Sequence, residues 1–412
     1  METNQRRNRR MHAAAGCVIA ATLSMLLIGP RVRLHRHVTA RENPQVAEAQ
    51  AWRKGRLELS ERTQDTAYVD GHVYNVFPPM FTLIAAVFGS IGWGVPQPFL
   101  VFAILLPVVV LAYIVCYQRT GSAGWAVLFS IGLVCGTSIA KVLSTMTRGP
   151  TPYYINHALA TVGLLLFLLD YFGRRRVWVG CVGLLVAAWS RQLTVLYAIP
   201  LLYIALGKPA GRIRRRCVAT VCVTGLVIAA LPMALDALKF GNPLDSGYAY
   251  IYNNRPADAL ARDARTYGLF NIHFVPRNLY YSCLGLPKLH RITMGKQTEI
   301  HLRPNFYGTG VWWTTPLLLL VFWDLGRIWG ERDARALLIA VVAIFVVLLF
   351  YHNTGWSQRG INRFSLDYLP GLYLILLPSC LIKRRRWVVA AMVGWSVLYF
   401  VALLPERNIR IW

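Results

Sequence analysis

Acidic residues are scarce in this chain. Its 412 residues hold 18 Asp and Glu against 44 Lys and Arg, a formal net charge of +26. In a soluble domain such an excess points to nucleic acid. No DNA or RNA recognition module is present, and the cations punctuate apolar runs. They read as topology signals and as attraction to anionic membrane lipids, with no nucleic acid partner. Paired cysteine spacings are lacking too. Of eight cysteines, Cys17, Cys116, Cys135, Cys181, Cys217, Cys222 and Cys380 lie inside or beside apolar runs, and Cys283 alone lies in a long polar connection. With no C-x-x-C spacing, neither a disulfide framework nor a zinc site is indicated. No P-loop, dinucleotide fingerprint or Ser-His-Asp signature occurs. The alternation of a membrane β-barrel is also missing.

What is abundant is long apolar sequence: 56% of the residues are hydrophobic. Backbone polar groups in lipid must be satisfied internally, so spans are helical by default. The fold class is an all-α polytopic membrane protein. Spans are predicted at about 12–30, 98–117, 122–140, 155–172, 177–192, 192–207, 214–238, 309–325, 335–351, 367–382 and 387–404. The basic start "METNQRRNRRM" and the lack of a small-x-small site in "LIGPRVR" indicate a retained first span. The stretch "PPMFTLIAAVFGSIGWG" (78–94) decides the topology. If it spans, the basic segments 173–176, 207–216 and 383–386 fall outside; if it lies in the interface, all three fall inside with the N-terminus. The second choice leaves eleven spans. It makes 31–97 a large first outer loop, 141–154 a second, and Arg191 a short outer turn. Residues 239–308 form another large outer loop, and 352–366 are outside as well. The expected location is the bacterial inner membrane, multi-pass, with the N-terminus cytoplasmic.

Inside the first loop, Asn43-Pro44 reads as N-cap and first helical residue, and Gly55 as a stop. Val46, Ala49 and Trp52 recur at helical spacing, which suggests an amphipathic helix on the membrane surface. Asp70 before Gly71 reads as a turn residue.

Four segments in order, "GRLELSERTQDTAYVDGHVYNVFPP", "KFGNPLDSGY", "YGTGVWWTTPLLLL" and "GWSQRGINRFSLDYLP", touch nearly the whole chain. With them the sequence resembles the C-type membrane glycosyltransferases, in the branch of protein mannosyltransferase-like and aminoarabinose transferase-like enzymes. The resemblance implies that the chain is one such transferase domain, taking a sugar from a polyprenyl-phosphate carrier. It implies a catalytic carboxylate in the first outer loop, flanked by two juxtamembrane helices, the second starting at a Pro-Pro. No acidic pair stands directly after the first span, where protein mannosyltransferases carry Asp-Glu.

The chemistry calls for a carboxylate at the acceptor and cations on the phosphate leaving group. Asp65, in "D-x-A-x-x-x-G-x-x-Y" with Gly71 and Tyr74, is one candidate base. Glu42, nearer the first span, is the other. Either is also compatible with a solvated loop carboxylate. Candidate phosphate ligands are Arg191, Arg359, Arg363 and His157, with Arg148 behind them. Arg191 sits between apolar runs, where a cation needs a partner, a polar cavity or the headgroups. Arg359 and Arg363 are four apart and would share a helical face, with Asp367 continuing it. Tyr74, Trp356 and Gln358 are candidate substrate contacts, and Trp356 equally fits an interfacial aromatic belt. No Asp-x-Asp stands in any outer loop, so no cofactor is assigned, although a single-carboxylate site is compatible with a divalent cation. The acceptor is a lipid, a glycan or a protein. A lipid-linked saccharide transporter or a polysaccharide polymerase or ligase are the rival readings.

Overall fold

The computed structural model describes residues 2–30, 32–63, 65–253, 259–294, 297–303, 308–353, 355, 361–379, 382 and 384–403. Arg359, Trp356 and Gln358 lie outside these residues. The chain divides into two compact units. One comprises Met1–Gly29, Ala112–Lys141 and Ile272–Trp412; the other comprises Pro30–Leu111 and Val142–Asn271.

The protein is predominantly helical, with short two-stranded ribbons only among the described residues. Among the described residues five helices are long and apolar enough to cross a membrane: Arg10–Ile28, Gln97–Thr120, Pro152–Phe172, Arg212–Phe240 and Arg332–Phe350. A sixth span forms if Ala123–Cys135 and Ser138–Arg148, bent by 60° at their junction, count as one. This is fewer than eleven, and the shortfall has local causes. The 309–325 stretch is broken into Val311–Thr314, Pro316–Leu319 and Leu320–Gly330, because Pro316 cannot donate the next helical hydrogen bond. Helix Val177–Ala188 and helix Gln192–Leu206, whose first part Gln192–Tyr197 is 3₁₀, are each too short to span. Helix Met80–Ser90, which begins right after Pro78-Pro79, has 11 residues, about 16 Å of rise and half a membrane.

In the first unit, helices Arg10–Ile28 and Arg386–Leu398 both pack on Ala123–Cys135. The approach is close because of Gly132: a Cβ there would sit 2.7 Å from Val393 and 2.5 Å from the Tyr373 hydroxyl. Polar hooks fix irregular segments. Asn278 Nδ2 donates to the carbonyls of Leu349 (2.9 Å) and Tyr351 (2.6 Å), and Asn362 Nδ2 donates to Ser282 Oγ (3.1 Å).

In the second unit, helices Pro152–Phe172 and Val177–Ala188 form an antiparallel hairpin at backbone contact. A Cβ on Gly163 would lie 2.5 Å from the Ala187 nitrogen, and one on Gly183 would lie 2.7 Å from the Gly163 oxygen. Small residues let membrane helices pack this tightly where lipid supplies little hydrophobic drive. Phe167, Tyr171 and Tyr197 fill the core behind the hairpin. Helix Arg212–Phe240 packs alongside but buries only Val221, Ile228 and Lys239, so nearly its whole surface is left for lipid.

The first loop, 31–97, folds onto this unit. Its ends are tied by strands His37–Val38 and Val95–Pro96. Helix Pro44–Trp52 starts as its sequence dictates: Asn43 Oδ1 accepts from the Gln45 amide at 2.9 Å and Pro44 takes the first helical position. The helix is not a surface-lying amphipathic element, however. Gln45 and Glu48 are buried together with Val46 and Ala49, because each polar side chain finds partners inside the fold. Strands Ala67–Val69 and His72–Tyr74 form a hairpin whose two-residue turn, Asp70-Gly71, has both φ angles positive.

Candidate functional site

The first loop carries Glu42, Asp65 and Tyr74 of the sequence-predicted residues, and the structure separates them into distinct clusters. Asp65 sits in the left-handed backbone region (φ 57°), a conformation Asp tolerates better than most residues. Its carboxylate accepts from the Tyr153 hydroxyl. Tyr153 lies in the first turn of helix Pro152–Phe172, where Pro152 occupies an N-terminal helical position. The Phe77 ring meets Tyr153 edge-on at 5.5 Å and Tyr248 at 6.4 Å. Asp65 is therefore a half-exposed carboxylate oriented by a phenol whose ring belongs to an aromatic cluster with Phe77 and Tyr248. His157 is one helical turn beyond Tyr153 and buried on the same face.

Glu42 belongs to a different cluster. It forms an ion pair with Arg36 and accepts from the Thr39 amide (3.3 Å) and hydroxyl (3.2 Å). Arg36 also reaches the Arg148 carbonyl at 3.5 Å, and Asn43 Nδ2 donates to the Pro150 carbonyl at 3.2 Å. Glu42 thus helps pin the start of the loop to the segment ahead of helix Pro152–Phe172.

Arg191 follows helix Val177–Ala188 in extended conformation. Its turn is held to the loop: the Met80 amide donates to the Trp189 carbonyl at 3.0 Å. Gln45 Nε2 donates to the Pro78 carbonyl at 2.5 Å, so both loop helices and the Arg191 turn share one junction. Tyr74 lies on the hairpin with its ring edge-on to Phe240 at 5.6 Å. Burial pushes its hydroxyl pKa up, and the Glu58 and Asp70 carboxylates push it further. In the other unit Arg363 opens a 3₁₀ helix, Arg363–Asp367, rather than an α-helix. At three residues per turn, positions 363 and 366 eclipse and Asp367 does not continue the Arg363 face. Arg363 is buried, with its guanidinium 5.1 Å from the Phe364 ring and Nη1 3.5 Å from the Gly355 carbonyl.

Three features escape a reading of the sequence. The first is the Tyr153 hydroxyl, one of many tyrosines at helix ends. The second is that the 239–248 stretch brings aromatic rings to the first loop: Tyr248 faces Phe77, while Phe240 lies between Tyr74 and Tyr250. The third is a buried ion pair between Glu48 and Lys239. Glu48 Oε2 also accepts from Asn75 Nδ2 and Thr82 Oγ1, both at 2.7 Å, and Lys239 Nζ donates to the Asn75 carbonyl at 2.9 Å. The only sequence signal for it is a lysine in the last turn of a long apolar helix. Among the described residues no group of three or more His, Cys, Asp or Glu could hold a metal ion, and the seven described cysteines of the eight are free.

No family model matches the chain, and no curated protein matches it. Among solved structures, the apo crystal structure of the Archaeoglobus fulgidus oligosaccharyltransferase is similar, with a TM-score of 0.44 and 14% sequence identity. The match covers 95% of this chain and 55% of that one, so the chain spans about half the length of that protein.

Proposed function

We propose that the chain is a membrane glycosyltransferase. It moves a sugar from a polyprenyl-phosphate donor to a lipid, glycan or protein acceptor on the non-cytoplasmic side, with Asp65 as the base. The observation that carries this reading is the Asp65 carboxylate, aimed by the hydroxyl of Tyr153, whose ring meets Phe77, which in turn meets Tyr248. A general base needs a fixed direction and access to the incoming hydroxyl. Aromatic rings offer flat apolar surface to a sugar. Helices long and apolar enough to cross a membrane suit a donor whose tail is hydrocarbon and whose phosphate lies at the headgroup level. Arg191 is the phosphate ligand in this reading. Glu42, tied to Arg36 and Thr39, positions the loop.

The test is a transfer assay in membranes containing radiolabelled polyprenyl-phosphate sugars, with the wild-type chain and Asp65→Asn. Label moving to a new lipid, glycan or protein product, reduced by at least roughly a hundredfold in the variant, is expected. Transfer that is undiminished in Asp65→Asn would remove Asp65 from the chemistry. Mass spectrometry of lipids co-purifying with wild type and Arg191→Ala reads the donor independently.

A further inference from the structure

The second unit carries a strongly basic surface that the proposed reaction does not use. It is built from two connections, the one between helices Pro152–Phe172 and Val177–Ala188 and the one leading into helix Arg212–Phe240. They are joined where Lys208 Nζ donates to the Arg175 carbonyl at 3.0 Å. Arg174, Arg176, Arg212, Arg214, Arg215 and Arg216 are exposed around this joint. Among the described residues none of these six takes part in an ion pair. Asp170, 7% exposed, accepts from the Arg176 backbone amide and interacts electrostatically with Arg176 and Lys208, so it offsets part of the positive charge and leaves most of it outward.

A second observation concerns what borders the cations. Each of three helices presents one large apolar side chain to the outside within its terminal two residues: Trp178 (61% exposed), Leu206 (52%) and Ile213 (59%). Cations above a collar of bare apolar groups, with tryptophan among them, match the boundary between headgroups and acyl chains. Lipid headgroups with their acyl chains meet both features at once, whereas a soluble anion meets the arginines alone.

We infer that this surface is a binding surface for an anionic lipid leaflet. The arginines pair with headgroup phosphates, and Trp178, Leu206 and Ile213 enter the upper acyl region. Unlike a simple topology signal, this predicts a measurable preference for headgroup charge at named residues.

The experiment titrates fluorescent phosphatidylglycerol, and separately phosphatidylcholine, into the full chain in neutral detergent. Phosphatidylglycerol should bind more tightly by roughly fivefold or more, the worth of about one arginine at a lipid surface. Arg174→Gln/Arg176→Gln/Arg214→Gln/Arg215→Gln should weaken phosphatidylglycerol by at least that factor and leave phosphatidylcholine unchanged. The matching Arg→Lys variant keeps the charge and should keep the preference, which separates charge loss from misfolding. Equal affinity for the two lipids in the wild type overturns the inference, as does an unchanged preference in the Gln variant. Inorganic phosphate is added against chloride at equal ionic strength. Displacement beyond that by chloride would reassign the surface to a soluble phosphate ligand and also overturn it.

Discussion

The two ends of helix Pro152–Phe172 treat charge in opposite ways. At the Tyr153 end, carboxylates have protein partners: Asp65 with Tyr153, Glu42 with Arg36, Glu58 with His72, and, fully buried, Glu48 with Lys239. At the Phe172 end, Arg174, Arg212, Arg214, Arg215 and Arg216 face outward, and among the described residues none of these takes part in an ion pair. The helix has 21 residues, so these ends are about 31 Å apart, close to the thickness of a hydrocarbon core. Helix Arg212–Phe240 repeats the arrangement in reverse, beginning among the arginines and ending at buried Lys239. Charge at one end is consumed in positioning a loop; at the other it remains for a partner. Net charge alone cannot reveal this difference, since +26 describes both ends together.

The sharpest way to break the contrast is Lys239→Met. Glu48 is 1% exposed, and losing its cation leaves a buried carboxylate short of its ion-pair partner, at a cost of about 3–5 kcal/mol. Thermal unfolding of the full chain in detergent should show a large drop. Glu48→Gln/Lys239→Met should recover part of it, because neither buried charge then remains. Removing one exposed arginine, as in Arg214→Gln, should change stability by less than about 0.5 kcal/mol. If the two single variants were equally destabilising, the internal and external charges would not differ in role.

Next in size is Tyr153→Phe. Deleting the hydroxyl removes one charge-assisted hydrogen bond, worth about 1–2 kcal/mol here because Asp65 is half exposed and water replaces part of it. Under the proposed reaction, transfer should fall more than stability does, because Asp65 loses its direction. Asn43→Ala should cost about 1 kcal/mol through loss of the cap on helix Pro44–Trp52, read in the same unfolding assay.

Why some of this was legible in the sequence is physical. Asn43-Pro44, Asp70-Gly71 and the helix after Pro78-Pro79 are set by local backbone preferences, which act within a few residues. The long apolar helices follow from composition over about 20 residues. Helix length in the 309–325 stretch was harder, because Pro316 permits either a kinked span or a break and only the surrounding packing decides. The burial of Glu48 was not legible at all. Its partners Asn75, Thr82 and Lys239 lie 27, 34 and 191 residues away, and a buried glutamate has the same sequence appearance as a solvated one. Arg363 shows the same limit: its helical face depended on 3₁₀ rather than α geometry, a choice the local sequence leaves open.

The smallest expected effect is the most discriminating for the candidate base. Glu42 and Arg36 side chains are 34% and 27% exposed, so their pair is largely screened and worth about 0.2–1 kcal/mol. Glu42→Gln keeps an oxygen for the Thr39 amide and should lower stability by less than about 1 kcal/mol. If Asp65 is the base and Glu42 only pins the loop, transfer in Glu42→Gln should stay within a few-fold of wild type while Asp65→Asn loses roughly a hundredfold or more. A loss in Glu42→Gln as deep as in Asp65→Asn, with unfolding unchanged, would move the base to Glu42. Arg36 and Thr39 would then be the groups that aim it, and the distinction between the Glu42 and Asp65 clusters would have to be drawn the other way round.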